Sequence, residues 1–304
     1  MSSNLSSVIY ANQFKTLLKY RRLFKNYLVV VYKISKNYFP VIAETRTGGL
    51  LTFSNRAQAW LITEALDRGA EWKFEEDSLI LRYKNRLLSL SGTYDKSNPR
   101  LVNGDPIHVF LEEDYSYLRD AGDLCIDVGA NIGDSSIWLA LNGFSRVIAV
   151  EPYPQNFKKL LYNVNENGFG SIIDCVNKGL SSRTHSVTID DKAYVDGAYD
   201  VHEAPEGSSV IMTTLDDLIS PLVESKLCLK MDCEGCEYDT ILNADPKTLT
   251  KFSRIMIEYH YGYYDLKEKL EKCGFSVECT KPVRHINPNT ARKEMSVGYL
   301  FVRR

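Results

Sequence analysis

The sequence lacks an apolar run long enough to cross a bilayer. Near its start the longest such stretch, Tyr27–Tyr32, falls far short of the roughly 20 residues a spanning helix needs. It also lacks a signal-peptide pattern, because Met1–Ser7 is polar and has no apolar h-region. Seven cysteines, at 125, 175, 228, 233, 236, 273 and 279, show no even-spaced framework, and several sit inside apolar runs. That argues against a secreted disulfide scaffold and for reduced thiols in a cytoplasmic protein, peripheral to a membrane at most. Acidic residues are missing from residues 1–40, where Lys15, Lys19, Arg21, Arg22, Lys25, Lys33 and Lys36 give +7. The net charge of −2 therefore leaves −9 for residues 41–304. Two readings follow: residues 10–38 engage an anionic membrane surface or partner, or they form a solvated arm docked on the acidic remainder.

What is present is ordinary globular composition. The 304 residues are 44% hydrophobic and 25% charged, enough for one large domain plus an extension. Residues 10–38 read as a basic amphipathic helix or helix pair that ends before Pro40. Ser54 reads as the N-cap of a helix over Asn55–Arg68, with Ala57, Trp60, Leu61 and Leu66 inward and Gly69 as the stop. Ser78–Gly92 reads as a hairpin about Lys84–Asn85. The polar stretch 93–106 marks a linker, so the expected domains are 1–106, a helical and hairpin extension, and 107–304.

Beyond Gly122 the pattern changes. Apolar strands at Leu124–Val128, Arg146–Val150 and Ser171–Val176 alternate with helices over Asp134–Asn142 and around Phe157, Leu160, Leu161 and Val164, the second closed by Gly168. Leu227–Met231, Ser253–Ile257, Phe275–Cys279 and Val297–Val302 continue the strand series. Ser181–Ser209 is polar and reads as an excursion with a short hairpin. Apolar strands alternating with helices imply an α/β fold with a doubly wound, mostly parallel sheet.

In such sheets ligands lie beyond the carboxyl ends of the strands. Asp127–Gly133 sits at such an end, and Glu151 closes the next strand, where a carboxylate suits a ribose diol. A dinucleotide site wants G-x-G-x-x-G, but Asn131 and Asp134 occupy the places of the second and third glycines. Asp127 and Asp134 also put negative charge where a pyrophosphate would go. A ligand with a cationic head and no phosphate fits better, and S-adenosylmethionine is such a ligand.

Four motifs sharpen this reading: D-V-G-A-N-I-G-D at Asp127–Asp134, T-L-D-D-L within Thr213–Leu218, K-x-D-x-E-G-x-E at Lys230–Glu237, and I-E-x-H at Ile257–His260. In combination, across residues 110–262, they resemble the FkbM-type S-adenosylmethionine-dependent methyltransferases. The resemblance implies a class I methyltransferase, Rossmann-like sheet closed by a C-terminal antiparallel hairpin strand. It implies O-methylation of a hydroxyl on a sugar, glycan or small molecule. Cofactor contacts would then fall at Asp127, Gly129, Ala130, Asn131, Gly133, Asp134, Glu151 and Pro152. Asp232 and Glu234 would stand at the mouth of the fourth strand. The alternatives are an RNA methyltransferase that grips phosphates with its basic arm, the less favoured partner class because the body is acidic, and a non-catalytic binding module.

A hydroxyl acceptor must lose its proton, and His260 suits a general base, with Asp232 and Glu234 orienting the acceptor. Glu258 could set the imidazole tautomer only if the chain bends after the strand, since i and i+2 share a face. Asp232, Glu234, Glu258 and His260 could also hold a hard divalent cation, although the carboxylates serve equally as bases or caps, and no metal ligand is assigned. Cys233 and Cys236 form a C-x-x-C without a second pair to complete a zinc site, so they read as small apolar residues beside a helix start. The tyrosines of Tyr259–Tyr264 could stack on a sugar or base, or cap the sheet.

Overall fold

The computed structural model describes residues 16–73, 77–93, 105–189, 206–222, 226–286 and 294–304. The chain divides into two compact units, residues 1–112 and 113–304, where the sequence reading set the division between 106 and 107.

In the first unit, residues 16–23 are helical, and a second helix covers Tyr27–Ser35. The expected basic arm is thus a helix pair over its described part, while residues 10–15 and the linker residues 94–104 lie outside the described residues. Phe24 bridges to Thr45 of a small antiparallel ribbon, Val41–Glu44 with Leu50–Phe53, and its ring meets Phe53 edge-on at 5.8 Å. Three of the seven basic residues have partners within this unit: Lys19 pairs Glu64, Arg22 pairs Asp67, and Lys25 pairs Glu44 at 2.8 Å. Those contacts belong to the docked reading of the arm.

The next helix spans Arg56–Asp67, and its cap corrects the sequence reading: Asn55, not Ser54, accepts from the Gln58 amide at 2.8 Å. Its inward face is corrected too. Ala59, Leu61, Ile62 and Ala65 are buried, whereas Trp60 stands 54% exposed and Ala57 is exposed. Glu71–Lys73, Ser78–Tyr83 and Arg86–Ser91 form a three-stranded antiparallel sheet. The hairpin turns at Lys84 and Asn85, with φ of 45° and 65°, as the sequence predicts. Among the described residues no helix is long and apolar enough to cross a membrane.

The second unit carries the large sheet. Its strands are β1 (Leu124–Val128), β2 (Arg146–Val150), β3 (Ile173–Val176), β4 (Leu227–Met231), β5 (Phe252–Tyr259), β6 (Ser276–Cys279) and β7 (Glu294–Arg303). They lie in the order β6-β7-β5-β4-β1-β2-β3, and Val283–Ile286 also pairs β7. β5, β4, β1, β2 and β3 run parallel, and β7 is antiparallel to both β5 and β6. This is the doubly wound, mostly parallel sheet with an antiparallel C-terminal strand that the sequence reading expects.

Helices α1 (Asp134–Leu141), α2 (Pro154–Glu166), α3 (Cys236–Asn243) and α4 (Tyr264–Lys272) connect the strands. Every residue of β1 and β4 is buried, which accounts for their near-continuous apolar sequences. Leu160 and Val164 of α2 are buried as expected, but Leu161 is 39% exposed. The polar excursion holds the predicted hairpin, His185–Ile189 with Ser208–Thr213, while residues 190–205 lie outside the described residues.

Candidate active site

β1 and β4 are neighbours, and their register sets Lys230 directly opposite Asp127. Both are fully buried, and Lys230 Nζ lies 3.0 Å from Asp127 Oδ1. Ser135 and Ser136, in the first turn of α1, donate to Asp127 Oδ2 at 2.7 and 2.6 Å. Asp127 is therefore bonded within the protein interior by Ser135, Ser136 and Lys230. Burial alone would lower the Lys230 ammonium, but Asp127 and then Asp232 outweigh it and hold it above the ordinary lysine value. Lys230 Nζ also donates to the Gly129 carbonyl at 3.1 Å and lies 5.2 Å from the Tyr115 ring centre. Sequence reasoning passed over Lys230. The signal was there: a lysine inside "LCLKM", a strand buried on both faces, requires a counter-charge.

The loop after β1 turns through Gly129, Asn131 and Gly133 with φ of 75°, 47° and 91°. A Cβ at Gly129 would come within 1.7 Å of the Asp232 carbonyl oxygen, so only glycine lets this loop meet the exit of β4. Gly129 and Ala130 both donate their amides to the Val150 carbonyl, which ties the loop to the end of β2. Glu151 follows directly. Its Oε2 accepts the Asn131 amide at 2.9 Å and its Oε1 the Tyr153 amide at 2.8 Å. Burial raises the Glu151 carboxyl to about 8, against the lowering effect of those two amides. Burial likewise raises Asp134 to about 6, with Lys230 opposing it. Pro152, next to Glu151, is half-buried, and its carbonyl accepts from Asn177.

The second cluster stands where β4 and β5 end. Asp232 follows β4, Glu234 lies in the turn before α3 with a left-handed φ of 56°, and His260 follows β5. His260 Nε2 lies 3.4 Å from Glu234 Oε2 and 3.7 Å from Asp232 Oδ1. The partner that orients the ring is Glu237, which sequence reasoning missed. This fully buried carboxylate accepts both the His260 backbone amide and Nδ1–H at 3.0 Å, and its other oxygen accepts the Gly235 amide at 2.9 Å. Its signal was the K-x-D-x-E-G-x-E spacing, which puts it in the first turn of α3 beneath the Glu234 turn.

Glu258 does not set the tautomer and stands apart from the three clustered donors. It lies opposite Tyr299 in the β5–β7 register and bonds it, and burial and then Asp232 hold its carboxyl well above the usual range. Burial would push the His260 imidazole down. Its carboxylate neighbours Glu234 and Glu237 outweigh it and raise the ring well above its ordinary value. That raised value weakens the ring as a proton acceptor, the role read for it from the sequence.

Two further readings change here. Cys233 and Cys236 are joined as a disulfide, not reduced thiols, which also removes them as zinc ligands. Of the tyrosines, Tyr259 is buried and donates to the Thr280 carbonyl, Tyr261 packs on Tyr238, and Tyr263 lies between Tyr259 and Tyr264. They cap the sheet, and Tyr264 alone of the four is largely exposed, at 75%.

The glycine loop carries unsatisfied acceptors that fit the donor groups of a ligand such as S-adenosylmethionine. Asn131 Oδ1 and Asp134 Oδ2 are buried acceptor atoms with no hydrogen-bond partner.

Residues 127–277 match the family model described as the methyltransferase FkbM domain. Among solved structures, methyltransferase FkbM from Methylobacillus flagellatus KT aligns at 20% identity and a TM-score of 0.40, over 60% of this chain and 44% of that one. An rRNA methylase from Streptococcus thermophilus aligns at 13% and 0.38, over 64% and 95%. TYW2 of M. jannaschii in complex with AdoMet aligns at 16% and 0.34, over 75% and 87%. The chain thus spans less than half the length of the Methylobacillus protein. No curated protein sequence matches it.

Proposed function

From the match of residues 127–277 to the methyltransferase FkbM domain, we propose that this chain methylates a hydroxyl oxygen of a sugar, glycan or other small molecule. S-adenosylmethionine would supply a sulfonium-bound methyl group, transferred to the acceptor oxygen as the sulfur leaves as a neutral thioether. The observation that carries the acceptor side is the contact of the glycine loop with the β4 exit at Gly129 and Asp232, which sets the carboxylates beside the donor loop.

Glu151, with lone pairs left on both oxygens, is the residue for the ribose hydroxyls. Asn131 and Asp134 offer their unpartnered oxygens to donor groups of the cofactor. The chain's own work at the acceptor is alignment and proton removal. Alignment can supply up to roughly 7–11 kcal/mol in well-oriented systems. Asp232 takes the proton. It is the more open carboxylate of the cluster, 26% exposed against 14% for Glu234, and its Oδ2 faces away from His260 toward the Tyr115 hydroxyl at 3.5 Å. His260, held by Glu237, stands beside Glu234 and the near oxygen of Asp232.

The test uses the full chain with methyl-labelled S-adenosylmethionine over glycan, lipid-linked, small-molecule and RNA fractions. Label should enter a hydroxyl of a glycan or small molecule, and Asp232→Asn should lose about 10²–10⁴ in single-turnover rate, the usual size of general-base assistance. Label confined to RNA would overturn the acceptor class. Absence of S-adenosylmethionine binding in calorimetry would overturn the activity.

A further inference from the structure

The cluster at the β4 and β5 exits has the donors and spacing of a coordination site. Asp232, Glu234 and His260 each offer one ligand atom, and all three lie within 4.8 Å of one another. Around a cation with bonds of about 2.1 Å, ligand atoms at octahedral or tetrahedral angles stand roughly 3.0–3.4 Å apart. The observed 3.4 and 3.7 Å from His260 Nε2 to Glu234 and Asp232 come within a few tenths of an ångström of that spacing, and the two carboxylates lie within 4.8 Å of each other.

Two features separate this from a plain acidic patch. First, the His260 side chain is 97% buried (3% exposed), yet its Nε2 meets both carboxylates beyond the 2.7–3.2 Å of a made N–H···O bond, and Glu234 Oε2 is a buried oxygen with no hydrogen-bond partner. Buried polar atoms are normally satisfied, so atoms aimed at one point without bonding each other indicate something that fits between them. Second, the ring is held as metal-bound histidines are held. Nδ1 is bonded to the buried carboxylate of Glu237, which leaves Nε2 as the atom turned toward the two oxygens.

We infer that Asp232, Glu234 and His260 bind one divalent first-row cation. Two carboxylates with one imidazole suit Mn2+ and its neighbours better than Mg2+, which prefers oxygen alone. The ion takes the Nε2 lone pair in place of a proton. Three protein ligands leave open positions for water or an acceptor oxygen, so in the methyl-transfer reading the ion lowers the pKa of the hydroxyl it binds. That role rests on the proposed function; the binding itself does not.

The experiment titrates Mn2+ into chelator-treated full-length protein, following free Mn2+ by its electron paramagnetic resonance signal. One ion per chain should bind, with nitrogen coupling from one imidazole in the pulsed spectrum of the bound ion. Asp232→Asn and His260→Gln should each weaken binding at least 10-fold. Glu237→Gln, which touches no ligand oxygen, should weaken it about 10–100-fold, the usual effect of losing the group that orients a ligand. Circular dichroism on each variant checks folding, and the nitrogen coupling is read on the wild type, so the inference does not depend on any variant surviving. No stoichiometric binding, or a bound ion without nitrogen coupling, overturns the site. Unchanged affinity in His260→Gln does the same. Calorimetry with S-adenosylmethionine on the metal-free protein runs in parallel: cofactor binding without Mn2+ binding sinks the metal site and leaves the methyltransferase reading standing, and the reverse pattern does the opposite.

Discussion

Glu151 illustrates how one buried group can report on ligand binding. With its carboxyl raised to about 8 by burial, it is mostly protonated at pH 7 in the cofactor-free protein. Ribose hydroxyls donating to it favour the ionised form, so cofactor binding should release close to one proton at pH 7. Calorimetry in buffers of different ionisation heat measures that release, and Glu151→Gln should abolish it. The sign for stability is equally definite. A carboxyl whose folded value lies above its unfolded 4.5 binds more protons when folded, so the cofactor-free protein should lose stability as pH rises from about 4.5 through 8. Glu151→Gln should flatten that slope, and urea midpoints across the range would show it.

Lys230 and Asp127 give a second test at the same scale. Lys230→Met strands a fully buried carboxylate, and the expected cost is about 3–5 kcal/mol in chemical denaturation. Removing both charges, as Lys230→Met with Asp127→Asn, should cost less than the single change. A double variant as unstable as the sum of the singles would contradict the pairing.

At the scale of elements, turns and strand exits carry the specificity. The hairpin between Ser78–Tyr83 and Arg86–Ser91 reverses through two residues of positive φ, which only a primed turn matches to the twist of its strands. Asn85→Val should cost about 1–2 kcal/mol because a β-branched side chain strains the left-handed region, whereas Asn85→Gly should not destabilise. Thermal melts of the two variants decide this, and equal losses would show that the turn residue does not govern the hairpin. The turn from Glu234 into α3 follows related logic. Glu234 accepts a left-handed conformation, and Gly235 beyond it frees an amide for Glu237, so one turn positions both carboxylates around His260.

At the scale of the molecule, the glycine loop, Glu151 and the Asp232–Glu234–His260 cluster all lie within residues 113–304. That unit has its own core around β1, β4 and β5, with Ile126, Leu229, Ile255 and Ile257 fully buried. Residues 113–304 expressed alone should therefore fold and bind S-adenosylmethionine with the affinity of the full chain. Calorimetry on both is the check, and failure of the shorter chain to bind would give the first 112 residues a part in forming the site.

The sequence by itself determined the strands at Leu124–Val128, Arg146–Val150 and Leu227–Met231, residue for residue, because a strand buried on both faces must be apolar along its length. It determined the glycine loop and the Lys84–Asn85 turn, since positive φ selects residue types locally. The antiparallel close of the sheet was legible through the family motifs. Only the tertiary structure decided which charges meet. Lys230 finds Asp127 across 103 positions because β4 lies beside β1, and Glu237 finds His260 across 23 because α3 returns over the end of β5. The same holds for Trp60, whose exposure depends on which stripe of its helix meets the ribbon, and for Cys233 and Cys236, which one turn brings to bonding distance. Local periodicity reports which face of an element is apolar. It carries no record of which buried carboxylate lies across from which cation, because that follows from strand order and register.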